Sequence, residues 1–344
     1  MNPEPPLRLT LDEAALVHNW RRLDQLSGAA RAGAAVKANA YGLGVQRVAR
    51  LLRDAGCRDF FVAHAMEALE LAEIIEPGQV SILHGPQDAA EAQWIAAQGF
   101  KPVINSLRQA ELWNAVGARP CDLMVDTGMS RLGLSADQLA APAVAQLNIA
   151  TVLSHLARAE EDNSLNALQQ SRWAAACEAL GRGERSLANS AGIMLGKDYH
   201  GNVTRPGLAL YGGVPCEALA PEIRQVAYPE AQIIQIRQVE AGAGIGYNST
   251  FIAPREMRVG VVAIGYADGY LRCWSGKGAM LAGDKSFPVL GRVSMDMTAI
   301  DLSDAPEIGE GDWVAAQYSL PQAASISGLS QYELLTLLGR RFAR

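Results

Sequence analysis

The chain has 344 residues, 49% of them hydrophobic and 19% charged, with 30 basic against 36 acidic side chains for a formal charge of −6. That apolar share supports a sizeable core and excludes a disordered chain, and the mild acidity argues against a nucleic-acid-binding surface. Five cysteines, odd in number and without a CxxC pair, read as reduced thiols of a cytoplasmic protein, not as a disulfide frame or a metal site. The N-terminal segment lacks a basic stretch followed by an apolar run, and no apolar stretch reaches the ~18 residues of a membrane span.

Leu16, Trp20, Leu23 and Leu26 mark one face of an N-terminal helix. From residue 33 onward, short apolar runs alternate with helical patterns. Strands are predicted over 33–38, 60–63, 80–83, 102–105, 122–126, 150–154, 186–189 and 207–211. Helices are predicted between them, among others over 45–55, 65–75, 89–98, 107–116 and 165–180. A doubly wound sheet alternates in the same way, but eight strands favour a (β/α)8 TIM-type barrel, which needs about 250 residues or somewhat fewer. From about residue 228 the helical spacing stops. Val/Ile-rich segments over 231–239, 258–264, 287–290 and 298–302, separated by glycine-rich turns, predict an antiparallel β domain, and 332–339 reads as a short helix. The division falls within 215–228. It gives a barrel over 1–222 and a β domain over 223–344, with a strand over 7–10 able to return to the β domain.

Lys37 ends the first predicted strand, in Val36-Lys37-Ala38-Asn39-Ala40-Tyr41-Gly42. A lysine at the C-terminal end of a barrel strand points into the mouth where such folds place their chemistry. Desolvation makes its amine a nucleophile or a Schiff-base partner.

This segment resembles the pyridoxal-phosphate (PLP) lysine motif of alanine racemases. Further segments resemble that family in the same order: VDTGMSRLG (125–133), SHLA (154–157), ANSA (188–191), RPGLALYG (205–212), GY (246–247), GYADG (265–269) and GRVSMD (291–296). The resemblance spans both predicted domains.

It implies a PLP-dependent isomerase that interconverts L- and D-alanine and supplies D-alanine for peptidoglycan. Lys37 would hold PLP and act as base on one face of the substrate Cα. Tyr247 would be the second base on the opposite face, supplied by the other chain of a homodimer with shared active sites. His155, which alone would read as a core histidine at a strand end, would be hydrogen-bonded to that tyrosine. Arg205 would face the pyridine nitrogen of PLP. Because arginine can only donate, the ring would stay unprotonated and be a weak electron sink. Tyr41, Ser190, Gly207, Leu208 and Tyr332 match the family's phosphate cradle, Tyr332 through only part of its motif. Arg131 would lie near the PLP 3-oxygen and the substrate carboxylate, which the Met295 backbone N–H would also meet. Tyr266 and Asp268 lie in the entrance motif, where Tyr266 would narrow the corridor and Asp268 would have a structural or electrostatic role.

Three positions depart from the family pattern. Met124 stands where members carry a lysine, carbamylated in some, whose charge orients the arginine. No carbamate forms on methionine, so Arg131 is expected to lack that anion. Leu43 replaces a histidine after AYG, and Ser294 stands where many members have cysteine. Rival readings are a broad-specificity or serine racemase, a PLP-dependent amino-acid decarboxylase and a PLP-carrier protein. The decarboxylases carry a catalytic cysteine motif in the β domain, and here only Cys273, in an unrelated context, lies there. The carriers lack a second domain.

Overall fold

A computed structural model describes residues 4–343, and the chain divides into two compact units. One is Glu13–Arg224. The other joins Met1–Asp12 to Gln225–Arg344.

In the first unit, parallel strands run in order through Ala34–Ala35, Phe60–Val62, Val80–Ile82, Lys101–Ile104, Pro120–Met124, Asn148–Leu153 and Glu184–Ser186. Most of these runs are short and rich in buried apolar residues, as a sheet covered on both faces requires, although Glu184–Ser186 is polar. The eighth position is filled by Val203–Thr204, paired in parallel with Arg31–Ala32. Closure is completed by Ala35 N–H donating to the Pro206 carbonyl (2.9 Å) and Arg205 N–H to the Ala188 carbonyl (2.8 Å). The result is a (β/α)8 barrel. Phe61, Val103, Met124, Leu153 and Val203, each from a different strand, pack together with Leu83 as one interior cluster. Helices Glu13–Leu26, Val45–Ala55, Ala89–Gln98, Leu107–Asn114 and Ser164–Leu180 lie along this unit. The first buries Leu16, Trp20 and Leu23. Its fourth predicted face residue, Leu26, is only partly buried.

Three expectations are corrected. The eighth strand is not 207–211, which is a 3-10 turn, Leu208–Tyr211, but the short run Val203–Thr204 before it. The strand predicted over 33–38 stops before Lys37, because 38–41 take a left-handed conformation. The helix predicted over 65–75 is regular only over Ala65–Leu69.

In the second unit, the 13-residue strand Ala227–Val239 is the organiser. It pairs antiparallel with Leu7–Leu11, with Trp313–Ala316 and, across an irregularity between Ile233 and Gln235, with Met257–Val262. Thr298–Asp301, Lys285–Leu290 and Ala279–Ala282 continue the sheet, and the last of these pairs with Trp313–Ala316, so the antiparallel sheet closes on itself. Ile245, Ala253, Met257, Val259 and Leu290 form a core cluster beneath it. Helices Leu320–Ser327 and Gln331–Thr336 follow. Among the described residues no helix is long and apolar enough to cross a membrane.

Candidate active site

In a parallel barrel the C-terminal ends of the strands share one face. Lys37 follows the first strand, Arg131 lies in the loop after Pro120–Met124, His155 follows Asn148–Leu153, Ser190 lies beyond Glu184–Ser186, and Arg205 follows Val203–Thr204. The barrel therefore gathers them at one mouth.

Lys37 is presented by an uncommon backbone. Ala38, Asn39, Ala40 and Tyr41 all have φ between 53° and 55°, a turn of left-handed helix closed by Ala40 N–H to Val36 O and Gly42 N–H to Ala38 O, both 2.8 Å. Each such non-glycine residue costs about 1–2 kcal/mol, so the turn persists only where its surroundings over-determine it. The Asn39 side chain accepts the Val45 N–H (2.7 Å), fastening the turn to the helix that follows. Glu67 accepts the Ala38 N–H through Oε1 (2.8 Å) and the Ala63 N–H through Oε2 (2.7 Å). The Lys37 amine is pushed below its ordinary value by burial first, then by the charge of Arg131, with Arg205 adding to the effect and Glu67 opposing it.

Arg205 is 7% exposed and forms no ion pair among the described residues, although the charge of Asp122 acts on it. Nη1 donates to Ser186 Oγ and Nη2 to the Ser154 carbonyl, each at 2.5 Å. Burial lowers its pKa to about 10, which leaves it cationic at neutral pH. Among the described residues Nε–H meets no acceptor, so a donor remains for a ring nitrogen. His155 is held neutral. Burial, followed by the charges of Arg205, Arg131 and Lys37, pulls its pKa down to about 3.

The phosphate cradle can be tested for fit. Ser190 Oγ accepts the backbone N–H groups of Gly207 (3.0 Å) and Ala209 (3.3 Å). A Cβ on Gly207 would stand 2.4 Å from the Tyr41 hydroxyl, so only glycine lets that hydroxyl approach the start of the Leu208–Tyr211 turn. Tyr41 packs against Tyr211 at a tilt (centroids 4.7 Å apart), and the Tyr211 hydroxyl donates to the Ala35 carbonyl (2.8 Å). Backbone amides, a serine and a tyrosine hydroxyl around a Cβ-free position suit a phosphate dianion. With a desolvated lysine and a buried arginine nearby, this donor set fits PLP.

Arg131 lies on a loop built by Asp126, whose Oδ1 accepts three backbone N–H groups in succession, from Gly128, Met129 and Ser130 (2.9, 2.9 and 3.1 Å). Among the described residues the Arg131 guanidinium has no hydrogen bond or ion pair. Met124 packs into the barrel interior at 8% exposure. Gln169, from helix Ser164–Leu180, donates to Thr127 Oγ1 (3.2 Å) and the His155 carbonyl (3.0 Å) and accepts the Ala157 N–H (2.8 Å). It thereby ties the Arg131 loop to the His155 loop.

The remaining predicted residues belong to the second unit. Tyr247 opens a tight turn bracketed by positive φ at Gly246, Asn248 and Ser249, and its side chain is 65% exposed. Met295 is exposed, and its carbonyl accepts the Ala267 N–H (3.0 Å). The guanidinium of Arg272 lies over the Tyr266 ring (5.1 Å). Asp268 is fully buried, with Oδ2 accepting the Gly265 N–H (2.9 Å) and Oδ1 the Arg341 Nε–H (2.7 Å). It braces the 265–269 segment. Tyr332 is half-exposed on helix Gln331–Thr336. Sequence reasoning passed over Glu67 and Gln169. Neither carries a local signal: the residue before the Glu67 helix is His64, which makes no side-chain cap bond, and nothing local marks a mid-helix glutamine.

The family model described as alanine racemase, N-terminal domain, matches residues 11–215, and that for the C-terminal domain matches 226–344. The chain belongs to the alanine racemase family. The alanine racemase of Brucella abortus is 40% identical over 366 aligned residues, covering 98% of this chain and 92% of that protein. One from Agrobacterium fabrum, designated biosynthetic, is 39% identical over 99% of this chain and 94% of its own length. The crystal structure of alanine racemase from Bartonella henselae, with covalently bound pyridoxal phosphate, superposes with a TM-score of 0.91 at 35% identity and covers 99% of both chains.

Proposed function

We propose that this chain interconverts L- and D-alanine with PLP held through Lys37, as a homodimer in the cytoplasm that supplies D-alanine for peptidoglycan. The observation that carries the reading is Lys37 itself: a desolvated amine at the barrel mouth, its pKa lowered by burial and by two guanidiniums, on a turn held by Glu67 and Asn39.

In its neutral form the Lys37 amine takes or returns the proton at the substrate Cα on one face. PLP, when bound, supplies the electron sink that makes that proton removable. Arg205, which can only donate, would face the ring nitrogen of bound PLP and keep it unprotonated, which would favour simple return of a proton to Cα. Arg131, without an anionic partner among the described residues, is available to the substrate carboxylate. Tyr247 carries the proton on the opposite face, and neutral His155 accepts a hydrogen bond from that tyrosine or donates one to it. Tyr247 is strongly exposed, and so are Ile252, Met295 and Met297 of the same unit. This supports burial against a second copy and a site completed by Tyr247 of the partner subunit. The decarboxylase chemistry finds no thiolate here. Cys273 lies in the turn Arg272–Trp274, and burial pushes its thiol pKa up.

The test is a panel of L-amino acids incubated with the PLP-loaded protein, followed by chiral analysis and assay of released carbon dioxide. Alanine is expected to racemise fastest with no carbon dioxide. Faster turnover of serine, or release of carbon dioxide, would overturn the assignment.

A further inference from the structure

Glu67 lies outside the residues that the motifs assign, yet it bridges two structures that must stay in register. Its carboxylate accepts the N–H of Ala38, the first residue of the left-handed turn that presents Lys37, and the N–H of Ala63, at the end of the neighbouring strand Phe60–Val62. Both bonds are short, 2.8 and 2.7 Å, and the side chain is only 15% exposed. A carboxylate suits this place because it offers two acceptors. A glutamine would turn an NH2 group toward one of the two amides.

We propose that Glu67 is a positioning residue for Lys37, fixing the left-handed turn through Ala38 and placing its carboxylate charge beside the lysine. The charged and titratable groups around Lys37 are Arg131, Arg205, His155 and Glu67, with His64 3.8 Å from Glu67 Oε1. Arg131 and Arg205 favour the neutral amine, His155 is neutral, and Glu67 alone among them favours the ammonium. The base is thus poised between two guanidiniums and one carboxylate, and the same carboxylate holds the backbone on which it stands. The proposal rests on the reading of Lys37 as the base.

The experiment uses the full chain freed of PLP. Lys37 is modified with an amine-reactive acylating reagent across a pH series and quantified by mass spectrometry, while amide exchange is followed in the peptide carrying Ala38. For Glu67→Gln, the pH of half-modification is expected to fall below that of the parent, and exchange at Ala38 to quicken about tenfold or more, as loss of a charge-assisted hydrogen bond implies. An unchanged midpoint, or a higher one, would overturn the proposal, since a purely structural brace does not move it downward. Should Glu67→Gln fail to fold, Glu67→Asp takes its place. It keeps the charge but is too short to reach both amides, so exchange is expected to quicken while the midpoint stays near the parent value, and a midpoint that drops overturns the proposal. Because the modification is read without substrate or PLP, it answers for Glu67 even if chiral analysis were to reject alanine.

Discussion

On the proposed reading Tyr247 and Lys37 divide the proton transfer at Cα by face, and that division would have a signature beyond loss of rate. L- and D-alanine have equal free energies, so Tyr247→Phe must lower kcat/KM equally in both directions. A drop of about 10²–10⁴-fold is expected for loss of one acid–base group. The asymmetry appears in deuterium uptake at Cα in heavy water. The enantiomer whose Cα proton Lys37 takes continues to exchange in the variant, while exchange from the other falls with racemisation. His155 gives a second residue-scale expectation. Its pKa of about 3 in the folded chain lies below the ~6.5 of an unfolded histidine. The unfolded state therefore binds more protons between these values, and stability falls as pH drops from about 6.5 toward 3. His155→Gln is expected to flatten that part of a thermal-unfolding pH profile, and an unaltered slope would contradict it. Gly207→Ala places a Cβ against the Tyr41 hydroxyl and is expected to destabilise by about 1–3 kcal/mol and weaken PLP binding, read by calorimetry and by titration of visible absorbance. These residues were legible in the sequence because each lies in a short motif whose order matches the family. Glu67 and Gln169 act through hydrogen bonds to distant backbone, and such partners follow from topology alone.

The loop that carries Arg131 owes its shape to one carboxylate. Asp126→Ala releases three amides at once, and is expected to raise the KM for alanine while leaving the visible absorbance of bound PLP in place. Equal loss of both would contradict a role confined to the loop. At the base of that loop Met124 is buried among apolar neighbours, so the folded mass should show no carbamate there and activity should not respond to bicarbonate. A marked response would count against it. Val45–Ala55, with strong apolar periodicity, and Ala89–Gln98, bounded by Asp88 and Gly99 at its caps, were read from the sequence to the residue. The eighth strand was not. Val203–Thr204 is two residues long and offers no run to detect, whereas 207–211 is apolar because it is buried. The turn at 38–41 escaped for another reason: alanines carry no signal for a left-handed backbone, which here is imposed by Glu67, Asn39 and the turn's own hydrogen bonds.

At the scale of the molecule, the fold class was legible because eight short apolar runs and a later change of period are properties of the whole sequence. The return of Leu7–Leu11 to the second unit fits a five-residue strand whose alternate positions are buried. Sharing of sites between copies can be tested by mixing two inactive variants, Lys37→Ala and Tyr247→Phe. If Tyr247 serves the partner's site, mixed dimers hold one intact site each, and re-association should restore roughly a quarter of the parent activity. No recovery would place both bases in one chain. The central claim, that Lys37 and Tyr247 racemise alanine, is tested most directly by incubating L-alanine with the PLP-loaded protein in heavy water and following chirality and Cα deuterium together. The account predicts equal amounts of the two enantiomers at the end, with deuterium at Cα of the D-alanine formed. L-alanine that stays L, or D-alanine that appears without deuterium, would contradict it.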